Sequence, residues 1–291
     1  MIVLTGASGF IGRHLLEALK DRFGPDNVLA LTSRPIVGVR CVLHEGYSHF
    51  ANLEQVTTLI HAGAFTPKNG AQANDWRSCN ANVLHTDRLL SAEMPALKRV
   101  VYLSTIDVYA PGSLLSEASP LGPASLYAAS KLYCEQLVSA WAAQRGAVAQ
   151  ILRVGHTYGP GEEAYQKVIP ASFMRILAGQ PLSLFGEGSE RRSFIFVKDV
   201  VRAIAASLSL DRDCGPINLV GGTPVSMASL VEAIGVVTGR QFVIERKPAS
   251  AAPRDVIFDN ARLRSLLLSQ ETPLLEGLGE EWRALESSSG R

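Results

Sequence analysis

The sequence is short of the features that place a protein outside the ordinary globular classes. Four cysteines stand in 291 residues. Cys41, Cys79, Cys134 and Cys214 are far apart, without Cys-x-x-Cys spacing or a His/Cys cluster. Neither a disulfide framework nor a bound metal is expected. Charge of one sign is lacking too. The 28 Lys and Arg balance 27 Asp and Glu for a net +1, which leaves no basic stripe for nucleic acid or an anionic membrane. Hydrophobic residues make up 47% of the chain, yet no unbroken apolar run reaches the ~18 residues of a membrane span. Internal repeats are absent. The chain opens on a strand-like run, so no signal or transit peptide is expected, and the free thiols fit a cytoplasmic location. The length admits one large or two modest domains with an ample core.

Ile2-Val3-Leu4 is short, apolar and β-branched, the pattern of a buried strand. It runs into Thr5-Gly6-Ala7-Ser8-Gly9-Phe10-Ile11-Gly12. Leu15, Leu16, Ala18, Leu19 and Phe23 then recur at helical spacing, with Arg13, Glu17 and Lys20 opposite. Strand, glycine turn and helix together form a dinucleotide fingerprint. Gly6 permits the tight turn, Gly9 lets a pyrophosphate approach the backbone, and Gly12 lets helix and strand pack closely. The helix start offers N–H groups and a positive dipole end. Ser8, Phe10 and Ile11 belong to the same cofactor turn.

Strand-like runs at Val28–Leu31, Arg40–Leu43, Thr58–His61, Arg99–Ser104 and Ala147–Leu152 alternate with helical patterns, which implies a parallel sheet with right-handed crossovers. Residues 34–57 are too few for a full crossover helix besides the strand they hold. Beyond Gly155 the prolines break the chain into short elements. The expected fold is a doubly wound parallel α/β sheet over 1–154, with 195–220 returning to it. A smaller α/β lobe over 155–286 would bind substrate, and 287–291 would be a flexible tail.

Tyr127 and Lys131 stand four residues apart after a Pro-rich turn. On a helix their side chains share one face, with Cβ atoms about 5–6 Å apart. A nearby cation stabilises phenolate, and lowering a tyrosine pKa by roughly three units is worth about 4 kcal/mol. That brings the phenol into range for proton transfer near neutral pH.

The glycine turn and Tyr-x-x-x-Lys resemble the extended short-chain dehydrogenase/reductase family, whose members are Rossmann-like nucleotide-sugar epimerases, dehydratases and ketoreductases. Further matches follow in order from Met1 to Trp282. They are Ile60-His61-Ala62-Gly63-Ala64, Asn82-Val83 with Thr86, Tyr102-Leu103-Ser104-Thr105 with Val108-Tyr109, Leu152-Arg153, Tyr158-Gly159-Pro160-Gly161, and Phe185-Gly186-Glu187-Gly188 with Arg192. The resemblance implies that Thr105 hydrogen-bonds the substrate oxygen, Tyr127 is the acid/base, and Lys131 binds the nicotinamide ribose and lowers the Tyr127 pKa. It places Ala62 and Ser104 beside the cofactor.

NAD-specific members carry an acidic residue about 20 residues past the loop. Here Leu31-Thr32 is followed by Ser33 and Arg34. Arg34 can pair with a 2′-phosphate through its planar fork, so NADP is favoured over NAD; the competing reading is an exposed arginine opening a loop. Dehydratases carry Asp-Glu after the Thr, where this chain has Ile106 and Asp107. Ile106 moves no proton, so 4-keto reduction and C4 epimerisation remain, and Arg34 in place of the acid leans towards the reductase. On the substrate side Arg192 and Arg254 match the family's diphosphate-binding arginines. His156 stands where the family has Asn.

The expected enzyme is therefore an NAD(P)-dependent oxidoreductase of nucleotide sugars. The rival readings are a reductase of a non-sugar carbonyl metabolite and an inactive dinucleotide sensor. The family also implies a homodimer through the Tyr-x-x-x-Lys helix. Leu126, Leu132, Leu137 and Trp141 give that helix an apolar stripe, which could equally face its own sheet.

Overall fold

The structure, a computed structural model, describes residues 1–47, 53–249 and 252–289. The first half of the chain forms β1 (Ile2–Thr5), α1 (Phe10–Phe23), β2 (Val28–Thr32), β3 (Cys41–Leu43), β4 (Thr58–His61), α2 (Trp76–Leu90), β5 (Arg99–Thr105), β6 (Leu114–Leu115), α3 (Leu126–Arg145) and β7 (Val148–Val154). The second half forms β8 (His156–Tyr158), α4 (Val168–Leu177), β9 (Leu182–Phe185), β10 (Arg191–Arg192), β11 (Phe194–Phe196), α5 (Val197–Ser207), β12 (Ile217–Leu219), β13 (Val225–Ser226), α6 (Met227–Thr238), β14 (Ile244–Lys247), β15 (Ile257–Phe258), α7 (Ala261–Leu266) and α8 (Leu274–Ser289).

Every residue of β1, β2 and β4 is buried, which is why these strands read as unbroken apolar runs rather than alternating ones. They join one seven-stranded sheet in the order β12-β7-β5-β4-β1-β2-β3. The pairings of β1 through β5 and β7 are parallel. From β1 the chain first winds outward through β2 to β3, then crosses back to β4 on the other side. The gap between the carboxyl ends of β1 and β4 is thus the topological switch point, where doubly wound sheets bind ligands. Register brings Thr5 level with His61, and Thr105 level with Val154. Among the described residues no helix separates β3 from β4.

The chain divides into two compact units. One comprises Met1–Ala110, Pro120–Val154 and Val201–Ile217, the other Pro111–Ser119, Gly155–Val200 and Asn218–Arg291. In the first unit Val3, Leu31, Leu59, Val100 and Tyr102 of the sheet meet Leu89 of α2 and Cys134 and Val138 of α3 in one core. Truncating such a side chain to Ala costs about 2–5 kcal/mol. The stripe on α3 is divided. Leu137 and Trp141 pack against this core, and Trp141 donates to the Leu90 carbonyl at 2.9 Å, whereas Leu126 is 46% exposed. In the second unit α8 continues through Ser289, so the tail expected from Ser287 begins in a helix; Gly290 and Arg291 lie outside the described residues.

Candidate active site

At the switch point Gly6 has a φ of +70°, and a Cβ there would stand 2.6 Å from the Gly63 backbone nitrogen and 2.8 Å from the Ala62 carbonyl carbon. A Cβ on Gly12 would stand 1.9 Å from the Gly6 carbonyl oxygen. Only glycine fits either position. The Gly9 N–H donates to the Gly6 carbonyl at 2.9 Å and turns the chain into α1. That helix begins with no side-chain cap and no acidic residue in its first turn. Its leading N–H groups and positive dipole end are therefore offered to an anion. Ser8 and Gly9 are exposed on the turn, Ile11 is half-buried and Phe10 is buried. The uncapped start and the cradle that a Cβ would fill fit a dinucleotide pyrophosphate. At the end of β2, Ser33 and Arg34 are exposed, and the Thr32 hydroxyl donates back to the Arg34 carbonyl at 3.0 Å.

Beside the turn, β5 ends on Ser104 and Thr105, both buried. Ser104 Oγ is buried without a protein hydrogen-bond partner, as suits a donor reserved for a bound group. Thr105 Oγ1 accepts from the Asp107 N–H at 3.2 Å and caps the short turn Ile106–Val108. Ile106 is buried and aliphatic. Ser125 starts α3 by accepting from the Ala128 N–H at 3.2 Å, which puts Tyr127 in the first turn and Lys131 one turn on. Both are buried. The Lys131 ammonium donates to the Leu103 carbonyl and lies 4.2 Å from the centre of the Tyr102 ring. Burial pulls its pKa down from 10.5 to about 8, against the opposing pull of Cys134 and Glu135. The structure thus gathers Thr105, Tyr127, Lys131, Ser104 and the glycine turn in the first unit.

Several residues that entered the sequence analysis only as motif positions, or not at all, support the site. Arg153 of β7 is buried and makes a two-pronged ion pair with Glu135 of α3, Nε–Oε1 at 2.9 Å and Nη2–Oε2 at 2.7 Å. Its Nη1 also donates to the Tyr109 hydroxyl at 2.9 Å, so one guanidinium ties α3 to the sheet and to the segment after Thr105. His61 is likewise buried. Its Nδ1 lies 2.8 Å from Thr5 Oγ1 and its Nε2 3.0 Å from Thr86 Oγ1. Burial first, then the charges of Lys131 and His85, lowers its pKa from 6.5 to about 3. The order His-x-Gly in the sequence carried no sign of these contacts, whose partners lie 56 and 25 residues away.

The second unit holds a cavity of about 200 Å³ lined by His156, Lys167, Arg192, Ile169, Phe194 and Met227, among others. His156 is half-buried as a residue, but its Nε2 is enclosed and has no protein partner. Burial, then Lys167 and Arg192, lowers its pKa to about 4, so the ring is neutral between two cations. Lys167, which the sequence reading did not select, pairs with Glu162 at 3.0 Å and donates to the Thr157 carbonyl at 2.8 Å. Arg192 Nη1 donates to the Arg254 carbonyl at 2.7 Å, and Arg254 Nη2 to the Gly112 carbonyl at 3.3 Å. Arg191 is committed to Asp255 at 2.8 Å. His156, Arg192 and the Arg254 backbone therefore come together, and Arg191 does not join them.

A glycine turn at the switch point, with a buried Tyr and Lys on the helix beyond the next strand, defines the dinucleotide-dependent oxidoreductase class. Comparison with known proteins makes this particular. The model of the NAD dependent epimerase/dehydratase family matches residues 2–219, and the chain belongs to that family. An uncharacterized UDP-glucose epimerase of Bacillus subtilis (strain 168) is 28% identical over 313 residues, covering 98% of each chain. A dTDP-4-dehydro-6-deoxy-D-allose reductase of Streptomyces bikiniensis is 27% identical, covering 97% of this chain and 95% of its own. MoeE5, solved with UDP-glucose and NAD, superposes with a TM-score of 0.85 at 30% identity over 99% of both chains. Among the described residues no helix is long and apolar enough to cross a membrane.

Proposed function

We propose that this protein moves hydride and a proton at C4 of a nucleoside-diphosphate hexose, and that the outcome is C4 epimerisation. The observation that carries this reading is Lys131. Its ammonium is fully buried one helical turn from Tyr127, and it is held by a carbonyl and a ring face. Its charge is thus available to stabilise a phenolate. In this reading Tyr127 takes and returns the proton of the 4-hydroxyl, Thr105 donates a hydrogen bond to the same oxygen, and the Lys131 charge favours the Tyr127 phenolate. Gly6, Ser8, Gly9, Phe10, Ile11 and Gly12 would hold the pyrophosphate, with Ala62 and Ser104 beside the rest of the dinucleotide. The dinucleotide supplies hydride exchange when bound. Ile106 has no proton to move, which argues against dehydration. In the second unit Arg192 and Lys167 would hold the diphosphate, with Phe194, Ile169 and Met227 against the base.

A second reading, 4-keto reduction by NADPH, is favoured by one observation. Thr32-Ser33-Arg34 presents hydroxyls and an exposed guanidinium, and no carboxylate, where an adenosine ribose would lie. The NAD bound to MoeE5 supports the first reading. Comparing the affinity of NAD and NADP for the wild type and Arg34→Ala separates them: an NADP preference that Arg34→Ala abolishes selects reduction. We also place the protein in the cytoplasm as a homodimer. Leu126 and Tyr133 on α3 and Trp76 and Leu84 on α2 are exposed, and the two helices lie side by side. Turnover of a panel of UDP- and dTDP-hexoses, with Tyr127→Phe as control, tests the whole reading.

A further inference from the structure

The hydrogens around His61 can be assigned by following each hydroxyl. The Thr86 hydroxyl donates to the Asn82 carbonyl at 2.8 Å, so its oxygen can only accept from His61 Nε2, 3.0 Å away. Nε2 therefore carries the proton and Nδ1 is bare. Bare Nδ1 accepts from the Thr5 hydroxyl at 2.8 Å. The Thr5 oxygen in turn accepts from the Gly63 N–H at 2.8 Å, and the Thr5 hydroxyl interacts with that of Tyr47. With its proton on His61 and the Gly63 N–H on its oxygen, Thr5 ties the ring to the Gly63 backbone. Gly63 is the residue whose backbone Gly6 approaches so closely that neither tolerates a Cβ. At the far end Asn82 accepts from the Phe65 N–H at 2.7 Å through Oδ1, and its Nδ2 donates to Ser130 Oγ at 3.3 Å. Ser130 donates to the Tyr127 carbonyl at 2.7 Å. A path of hydrogen bonds, joined covalently within Asn82, thus runs from the glycine turn through β4 and α2 to the first turn of α3.

We propose that His61 is a positioning residue of the cofactor site. As the neutral Nε2–H tautomer it fixes the Gly63 backbone and the Thr5 hydroxyl relative to Thr86 and Asn82 of α2. The role rests on the reading of the glycine turn as the dinucleotide site. His61 touches neither cofactor nor substrate in this role; it acts through Thr5. Tyr47 strengthens the assignment, because it holds a φ of +58° as a non-glycine residue. Its ring is stacked on His44 at 4.0 Å, and its N–H donates to His44 Nδ1 at 3.1 Å. A strained backbone kept in place by its neighbours is common where a group must be held for function.

The test removes the far end of the path, away from the glycine turn. Thr86→Val leaves His61 Nε2–H without an acceptor. The ring then gains by moving its proton to Nδ1; Thr5 must accept from the ring instead of donating to it, and its own proton turns toward Tyr47, which re-orients the hydroxyl that holds the Gly63 N–H. Nitrogen-15 spectra of histidine-labelled protein report the tautomer, and fluorescence titration reports dinucleotide affinity. The wild type should show the Nε2–H form. Thr86→Val should lose it and bind dinucleotide on the order of tenfold more weakly. Thr86→Ser, which keeps the hydroxyl, should restore both. A wild-type Nδ1–H ring overturns the proposal even if the valine variant does not fold. So does a valine variant with an altered tautomer and unchanged affinity. Wild-type protein that binds no dinucleotide overturns the functional reading and this role with it, whereas retained wild-type binding with unaffected variants overturns the role alone.

Discussion

Below neutral pH the first unit should lose stability through His61. The ring is fully buried, and its pKa falls from 6.5 to about 3 on folding. Between these values the unfolded chain holds a proton that the native state refuses, so stability drops as pH falls through this window. Each pKa unit is worth about 1.4 kcal/mol, which gives about 5 kcal/mol over the whole window, comparable to the entire stability of many domains. His61→Gln keeps a polar side chain and cannot titrate. Trp76 and Trp141 lie in the first unit and Trp282 in the second, so in a Trp282→Phe background tryptophan fluorescence follows the first unit alone. Urea unfolding from pH 6 to pH 4 should show the wild type losing about 1.4 kcal/mol more per pH unit than His61→Gln. Carboxylates that titrate in this range affect both proteins alike. Equal slopes would refute the neutral, buried assignment.

Gly12→Ala drives a methyl group against the Gly6 carbonyl oxygen, 1.9 Å away; it should cost about 1–3 kcal/mol in thermal unfolding and abolish dinucleotide binding in a titration. Glu135→Gln leaves the buried Arg153 without its counter-charge and should destabilise the protein by about 3–5 kcal/mol, whereas the double change Glu135→Leu with Arg153→Met should recover most of the loss in chemical denaturation. In the second unit burial raises the carboxyls of Glu162 and Glu281, to about 7 and about 9, with the charge of Glu163 adding to the first and those of Glu162 and Glu163 to the second. The native state then holds protons that the unfolded chain has shed, so stability should fall as pH rises from about 4.5 toward 9. Glu281→Gln should flatten that fall between pH 6 and pH 9 in urea midpoints.

What was legible in the sequence was local. The strand, glycine turn and helix follow one another within the first 23 residues, and Tyr127 and Lys131 share one helix, so spacing alone placed them on one face. The expectation of a reduced or missing crossover helix before β4 followed from too few residues to build one, and among the described residues none separates β3 from β4. What stayed hidden depends on register. His61 acquires its partners because β1 and β4 pair with Thr5 opposite His61, and because α2 sets Thr86 above the ring; neither alignment leaves a pattern in the chain. Glu135 and Arg153 look like two solvated charges 18 residues apart until α3 lies on β7 and buries both. The apolar stripe of α3 stayed undecided for the same reason, since Leu137 and Trp141 answer to the core beneath them while Leu126 is exposed. In the second unit short elements broken by proline gave little periodicity, and Lys167 joined the cavity through a fold that the spacing did not encode.

The central claim is that Tyr127, set against Lys131, moves the proton that accompanies hydride transfer at a nucleotide sugar. The most direct measurement is the absorbance of the nicotinamide on mixing dinucleotide-loaded protein with UDP-glucose, compared between wild type and Tyr127→Phe under single-turnover conditions. Transient reduction is expected in the wild type, with a loss of at least about a hundredfold in rate in the variant and dinucleotide affinity little changed. A Tyr127→Phe protein that reduces its dinucleotide as fast as the wild type would contradict the claim.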